Sequence, residues 1–363
     1  MKQRIAIVAD GVSGSYLSQK WLEWGFDVTL IEVASPLAFP PAETEWVYHG
    51  NGECFEKGGL VYGPELRDLY WSLSKETHEC LASWLKKLGA EFSRSQLWWL
   101  GKSEDEIQQL KKSETQTSRF LSAPDTLAEL PYQGALEEDC LRFNRASVQE
   151  AALEKLKEYE RFRFLPGCSL PSIATTDKMG VEIKVKQEVL QFDFAFWLCP
   201  QAPDFETLKD TYIPVTLNSF RYPQGGTIPD AEAFIFHLGA DYCLKELGGL
   251  RVGSFRSLFS DGSVGLKQEV DAVSQSHLEK FFTSMNWIDS ESSQVFANLT
   301  AVTCDGLPIV GPISGAPNVV FVGGFAARES NLIYAILDRV SKGVREDGKY
   351  EGLEPFSPRR FLQ

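Results

Sequence analysis

Residues 5–32 read IAIVADGVSGSYLSQKWLEWGFDVTLIE. Residues 4–9 are a short apolar run, as expected for a buried parallel strand. A glycine-containing turn follows, then a helical segment from about Ser13 to Trp24 that stops near Gly25. Residues 27–32 (DVTLIE) read as a second strand ending in an acid. Strand, glycine turn, helix, strand and terminal acid, in that order, make up a dinucleotide-binding unit. In such a unit the first glycine permits the tight turn. The second lets the backbone approach a pyrophosphate, and the third lets helix pack on strand. Gly11 and Gly14 keep the last two jobs, but the first position is Ala9, and Asp10 puts an acid inside the turn. The helix N-terminus carries about half a positive charge and suits phosphates. Glu32 stands where an acid accepts hydrogen bonds from a ribose.

The chain has 363 residues, enough for two domains or one interleaved pair. A net charge of −14 disfavours a polyanionic partner, so nucleic acid is an unlikely partner for this surface. Seven cysteines form no C-x-x-C, and four histidines show no metal-ligand spacing, so no metal site is expected. The first strand begins almost at Met1, leaving no room for a signal peptide, and no apolar run has the length of a membrane span. The expectation is a cytoplasmic protein with no membrane partner.

Residues 33–63 read as irregular. Residues 65–89 carry apolar positions at helical spacing and end at Gly89. Residues 102–117 are charged and read as a solvated helix or loop. RASVQEAALEKLKEY is a further helix, with Ser147 and Glu150 as its expected capping box. VEIKVK alternates as a half-buried strand does, and VLQFDFAFWLCP reads as one strand returning to the interior. Residues 212–260 hold three or four strands, which suggests an inserted antiparallel sheet. NVVFVGG and ESNLIYAILDRVSKG close the chain as strand and helix. The fold class is α/β: a Rossmann-type domain with an inserted antiparallel-sheet domain. The first is expected from 1–90, 145–205 and 297–363, the second from 91–144 and 206–296.

The segment TAVTCDGLPIVGPISGAPNVVFVGGFAARESNLIYAIL (300–337) resembles the closing segment of the D-amino-acid oxidase family of flavoproteins, which includes glycine and sarcosine oxidases. Thr303, Asp305, Gly306, Leu307, Pro308, Ile309, Gly311 and Pro312 carry the match. With the N-terminal unit, the resemblance spans nearly the whole chain. It implies an FAD-dependent oxidoreductase that oxidises a CH–NH bond of a small amine or amino acid by hydride transfer, with FAD held non-covalently. It places Gly11, Val12, Ser13 and Gly14 at the pyrophosphate, Glu32 and Val33 at the adenosine ribose, and Leu170 at adenine. Thr44 takes a serine's place after the second strand. Gly324, Phe325, Ala326, Ala327, Arg328 and Glu329 would wrap the flavin ring.

Three departures accompany the match. The turn after the last strand is Gly324–Glu329 rather than a glycine-rich one. Thr300 stands where the family tends to carry an arginine for the substrate carboxylate. Leu198-Cys199-Pro200 replaces an Ala-Thr-Gly-like flavin contact. Tyr242, Arg251 and Thr300 are candidate substrate contacts, with Arg221 and Arg256 weaker. An arginine fork suits a carboxylate, and a packing or structural ion pair is the alternative for each. His49 and His237 read as packing histidines, and no catalytic residue is assigned. Cys304 reads as an ordinary thiol, since the family's attachment position aligns near Asn298. Two other functions stay open: a non-catalytic protein with a degenerate flavin site, and a tRNA-modifying flavoenzyme.

Overall fold

The computed structural model describes residues 3–37, 40–49, 55–122, 131–176, 180–209, 211–237, 239–254, 271–326, 329–346 and 348–361. Arg256, Ala327 and Arg328 lie outside the described residues.

Strand β1 (Arg4–Ala9) is central to a six-stranded sheet because every residue after Arg4 is buried. Across this sheet the order is Ile309–Ile313, Ala316–Gly323, Phe194–Trp197, β1, Asp27–Val33, Phe162–Cys168. All neighbours are parallel except the first pair. Side chains alternate across β1. Ile5, Ile7 and Ala9 join a core with helix α1 (Val12–Glu23) and helices Pro64–Leu88, Arg145–Lys157 and Ile333–Arg345. Ala6 and Val8 face the other way, toward a core shared with Val181, Ile183 and Val185 of a three-stranded antiparallel sheet. Both faces are thus covered, as a parallel sheet requires.

The second large sheet has nine strands. Its path runs Gln294–Thr303, Tyr212–Tyr222, Gly249–Ser254, Asp241–Glu246, Ala233–Phe236, Phe92–Gly101, Gly134–Asn144, Thr44–Val47, with Ser118–Ser122 also on Gly134–Asn144. The Ala233–Phe236 strand is parallel to Phe92–Gly101, and the other pairings are antiparallel. One face packs on helix Ala272–Ser284 and Trp287. The strands at 44–47 and 294–303 carry this sheet to the edge of the first, so a cleft forms where the two meet.

Three local expectations are corrected. Residues 33–63 contain a strand, Thr44–Val47, and a helix, Phe55–Tyr62. Glu188–Phe192 and Phe194–Trp197 are two strands in different sheets, separated at Asp193, whose carboxylate accepts the Arg4 N–H at 2.6 Å. Asn144, not Ser147, caps its helix: the Asn144 side chain accepts the Ser147 N–H at 2.9 Å, leaving Ser147 inside the first turn. The charged stretch holds a helix, Glu104–Lys112, capped by a Ser103–Glu106 box, with Leu110 buried beneath it. Among the described residues no helix is long and apolar enough to cross a membrane.

Candidate active site

A cavity of about 220 Å³ opens where the glycine turn, the start of the closing helix and one face of the nine-stranded sheet converge. The turn comes to it by simple geometry. β1 ends at Ala9, in register with Glu32, and α1 starts three residues later. Gly14 allows this closeness: a Cβ there would lie 2.5 Å from the Ala9 Cβ and 3.0 Å from Leu30. Gly11 is an extended N-cap, and α1 has no side-chain cap. Its first N–H groups therefore have no intrahelical partner, and Gly11, Val12 and Ser13 line the cavity.

Opposite them stands the closing turn. Gly324 has φ of 80°, and a Cβ there would meet Thr303 at 2.6 Å. Ala326 is also left-handed, at φ 54°. Two hydrogen bonds to the neighbouring strand hold it: its N–H donates to Ala301 O at 2.8 Å, and its carbonyl accepts the Thr300 hydroxyl. The segment Glu329–Asn331 and helix Ile333–Arg345 follow, with Leu332 giving no side-chain cap. Asn331 accepts the Tyr48 N–H at 3.0 Å, which ties this helix start to the end of the strand Thr44–Val47.

Two buried donors beside this cavity have no partner among the described residues: the Trp46 indole N–H and the Asn331 Nδ2. Unsatisfied buried donors are rare and costly, so both suit a ligand rich in acceptors, as a flavin ring edge is.

Charge at the glycine turn is unusual. Asp10, Glu45 and Glu329 all line the cavity, and with them Arg145. The Arg145 guanidinium lies 2.9 Å from where a Gly11 Cβ would sit, and 3.5 Å from the Glu45 carboxylate. The Ser330 hydroxyl also donates to Glu45. Asp10 and Glu329 are half-buried by surface area yet sit deep in the cleft. Burial pushes the Asp10 carboxyl up to about 6 against the pull of Arg145, and Glu32 and Glu45 push it further. Burial, with Asp10 beside it, pushes Glu329 up to about 8. For Arg145, burial opposes the charge, but Glu45, Asp10 and Glu329 more than offset it. The backbone half of the site thus fits a dinucleotide's phosphates. The carboxylate half fits only with Arg145 present and with protons on Asp10 and Glu329.

The sheet face supplies the rest. Leu97, Leu217, Ile235 and Leu244 line it with Tyr242, Arg251 and Thr300. Arg251 donates from Nε to Glu246 at 2.8 Å and from Nη2 to the Thr44 carbonyl at 2.8 Å. Glu246 also takes Arg221 at 3.0 Å. Arg251 therefore serves a buried ion pair across strands, and Thr300 spends its hydroxyl on Ala326. Tyr242 packs so closely over Gly253 that a Cβ there would fall 2.2 Å from its hydroxyl.

Of the other expected residues, Thr44 lines the cavity, and so do Ala326 and Glu329. Glu32 and Val33 end their strand beside Ala9 and Cys168, outside the lining. Leu170 is 39% exposed, two residues beyond Cys168. Gly14, Gly324 and Phe325 shape the turns from behind the lining. His49 stacks on His78 with ring centroids 4.2 Å apart, and burial lowers it to about 4. His237 pairs with Asp241 at 2.8 Å. Neither histidine lines the cavity. Sequence reading did not single out Glu45, Arg145, Trp46 or Asn331 as site residues. Each is local to its own element, and only the tertiary fold brings it to Gly11.

Compared by sequence, the chain matches no protein-family model and no curated protein. Compared by structure, it is similar to L-proline dehydrogenase from P. horikoshii at 14% identity, over 99% of this chain and 98% of that one, with a TM-score of 0.73. It is similar to glycine oxidase from Geobacillus kaustophilus at 15% identity, over 99% of both chains, with a TM-score of 0.73. It is also similar to NikD, an unusual amino acid oxidase essential for nikkomycin biosynthesis, at 13% identity over 98% of both, with a TM-score of 0.73. The chain has the fold of these amino-acid oxidases and dehydrogenases from end to end.

Proposed function

We propose that the protein is an FAD-dependent oxidoreductase that oxidises the CH–NH bond of a small amine or amino acid. One observation carries the reading: the uncapped glycine turn of α1, the pinned turn at 324–326 and two unpartnered donors meet on one cavity, against an apolar sheet face. FAD, when bound, would supply the oxidant, a two-electron acceptor for the hydride on the carbon next to nitrogen.

The chain's own residues do the holding. N–H groups of Gly11, Val12 and Ser13 receive the phosphates, with Arg145 as countercharge. The Glu32 carboxylate, near the end of its strand beyond the cavity lining, would accept ribose hydroxyls. Trp46 Nε1, Asn331 Nδ2 and the start of the closing helix would donate to the ring edge, where charge grows on reduction. Leu97, Leu217, Ile235 and Leu244 keep water from the reacting carbon. A substrate arriving as an ammonium would give one N–H proton to solvent or to an ionised lining carboxylate and a hydride from carbon to the flavin, and would leave as an iminium cation. Asn298, near the position where the family's cysteine attachment aligns, lines the cavity, which supports non-covalent binding.

The carboxylates Asp10, Glu45 and Glu329 favour a second reading, a fold whose flavin site has been lost. Thermal unfolding with and without FAD separates the two. The first reading predicts a rise in melting temperature that grows with FAD concentration, and anaerobic bleaching of the bound flavin by a substrate amine. An unchanged melting temperature supports the second.

A further inference from the structure

We infer that the substrate of this cleft is an amine without a carboxylate, bound as a cation against apolar walls. This rests on the proposed reading of the cleft as an amine-oxidising site and narrows its substrate class.

Five lining residues carry charge: Asp10, Glu45, Glu329, Arg145 and Arg251. Arg251 is neutralised behind the wall. Glu246 holds it at 2.8 Å and Arg221 at 3.0 Å, and Arg221 reaches Glu43 at 3.4 Å. Two guanidiniums thus meet two carboxylates, and two of the Arg251 donors are spent on Glu246 and Thr44. The remaining four groups are three carboxylates and Arg145. With Asp10 and Glu329 both protonated they sum to zero. With either one ionised they sum to a negative charge. With Glu45 carrying its charge beside Arg145, protonation of Asp10 and Glu329 takes these four groups no further than zero.

An amino-acid carboxylate entering this space would lose its water with no countercharge to replace it, which is costly. The fork that would clamp it is absent at the sequence position where it is expected, since Thr300 has a hydroxyl already bonded to Ala326 O. An ammonium meets the opposite situation. It is attracted by Glu45 and by any ionised Asp10 or Glu329, and bound FAD would add its phosphate charges of the same sign. The apolar side chains Leu97, Leu217, Ile235 and Leu244 suit a hydrocarbon substituent. Amine and carboxylate therefore differ by a full charge in a low-dielectric cleft, where such differences count most.

The test uses matched pairs that differ only in the carboxylate: pyrrolidine against proline, and N-methylphenethylamine against N-methylphenylalanine. The FAD-loaded protein is mixed anaerobically with each, and bleaching of the flavin is followed. In parallel, thermal shifts with benzylamine and with benzoate are measured on loaded and FAD-free protein, reading the charge preference of the cleft without any turnover. The expected result is bleaching at least about tenfold faster by the amine of a pair, and a benzylamine affinity at least about tenfold above that of benzoate. Faster bleaching by the amino acid, or tighter binding of benzoate, overturns the inference. It would mean that a cation outside the described residues reaches the cavity. Failure to retain FAD instead counts against the oxidoreductase reading, and the FAD-free thermal shifts still decide the charge preference.

Discussion

Asp10 occupies the one position in the glycine turn where an acid is least expected, and its surroundings explain how it is tolerated. Arg145 reaches over Gly11 from another element, and burial keeps both Asp10 and Glu329 ready to take protons near neutrality. The sign of the consequence follows. A carboxyl whose pKa is raised in the folded state lends stability below its unfolded pKa, and that stability is lost as pH rises through the folded value. Anionic FAD favours the protonated forms in the same way. FAD affinity should therefore fall as pH rises from about 6 to about 8, the window set by the two groups. Asp10→Asn should flatten much of this dependence and tighten binding at the alkaline end by about tenfold, read by quenching of FAD fluorescence across pH. An alkaline-end affinity unchanged in the variant would show that Asp10 does not face the phosphates. Arg145→Met should weaken FAD binding by about tenfold or more, since it removes the only described cation at the turn and leaves three carboxylates. The places of Gly11 and Gly14 in the turn and of Glu32 near the end of the second strand were legible from local spacing, because the turn itself sets them. Arg145 and Glu45 were not, because nothing near them in sequence points to Gly11.

Among the elements, the helix at 145–157 gives a clean test. Asn144→Ala should cost about 0.5–2 kcal/mol of stability through loss of the cap, whereas Ser147→Ala should be near neutral. Urea unfolding of the two variants checks the order, and equal losses would contradict the assigned cap. Gly253→Ala should destabilise by about 1–3 kcal/mol, because its Cβ collides with the Tyr242 ring. The strands at 181–185, 212–222, 233–236, 241–246 and 249–254 were readable from alternation or apolar runs. Phe92–Gly101 and Gly134–Asn144 are the longest of the strands that were not recognised, with Gln294–Thr303. Phe92–Gly101 changes from an exposed pattern to a fully buried one midway, so no single period describes it. Gly134–Asn144 carries Glu137, Glu138 and Asp139 in its centre. Glu138 is buried there only because Trp99 Nε1 and the His49 N–H donate to it, at 2.8 and 3.0 Å. Long-range partners of that kind leave no trace in local composition.

For the whole molecule, strands from the start of the chain, from 162–197 and from its end build one mostly parallel sheet. The intervening segments build most of the other, and the strands at 44–47 and 294–303 bring that second sheet up to the glycine turn. The dinucleotide unit and the closing motif, read together, were enough to anticipate this plan, since a strand–turn–helix unit constrains what can surround it. The charge balance of the cleft was out of reach, because it arises only where distant elements converge. The account stands on FAD occupying this cleft, and the visible absorption spectrum of the purified protein, taken after incubation with FAD and exhaustive desalting, tests that most directly. A retained flavin spectrum, perturbed from that of free FAD and lost in Arg145→Met, is the predicted result. A colourless protein that retains no flavin at pH 6, where Asp10 and Glu329 are most protonated, would contradict it.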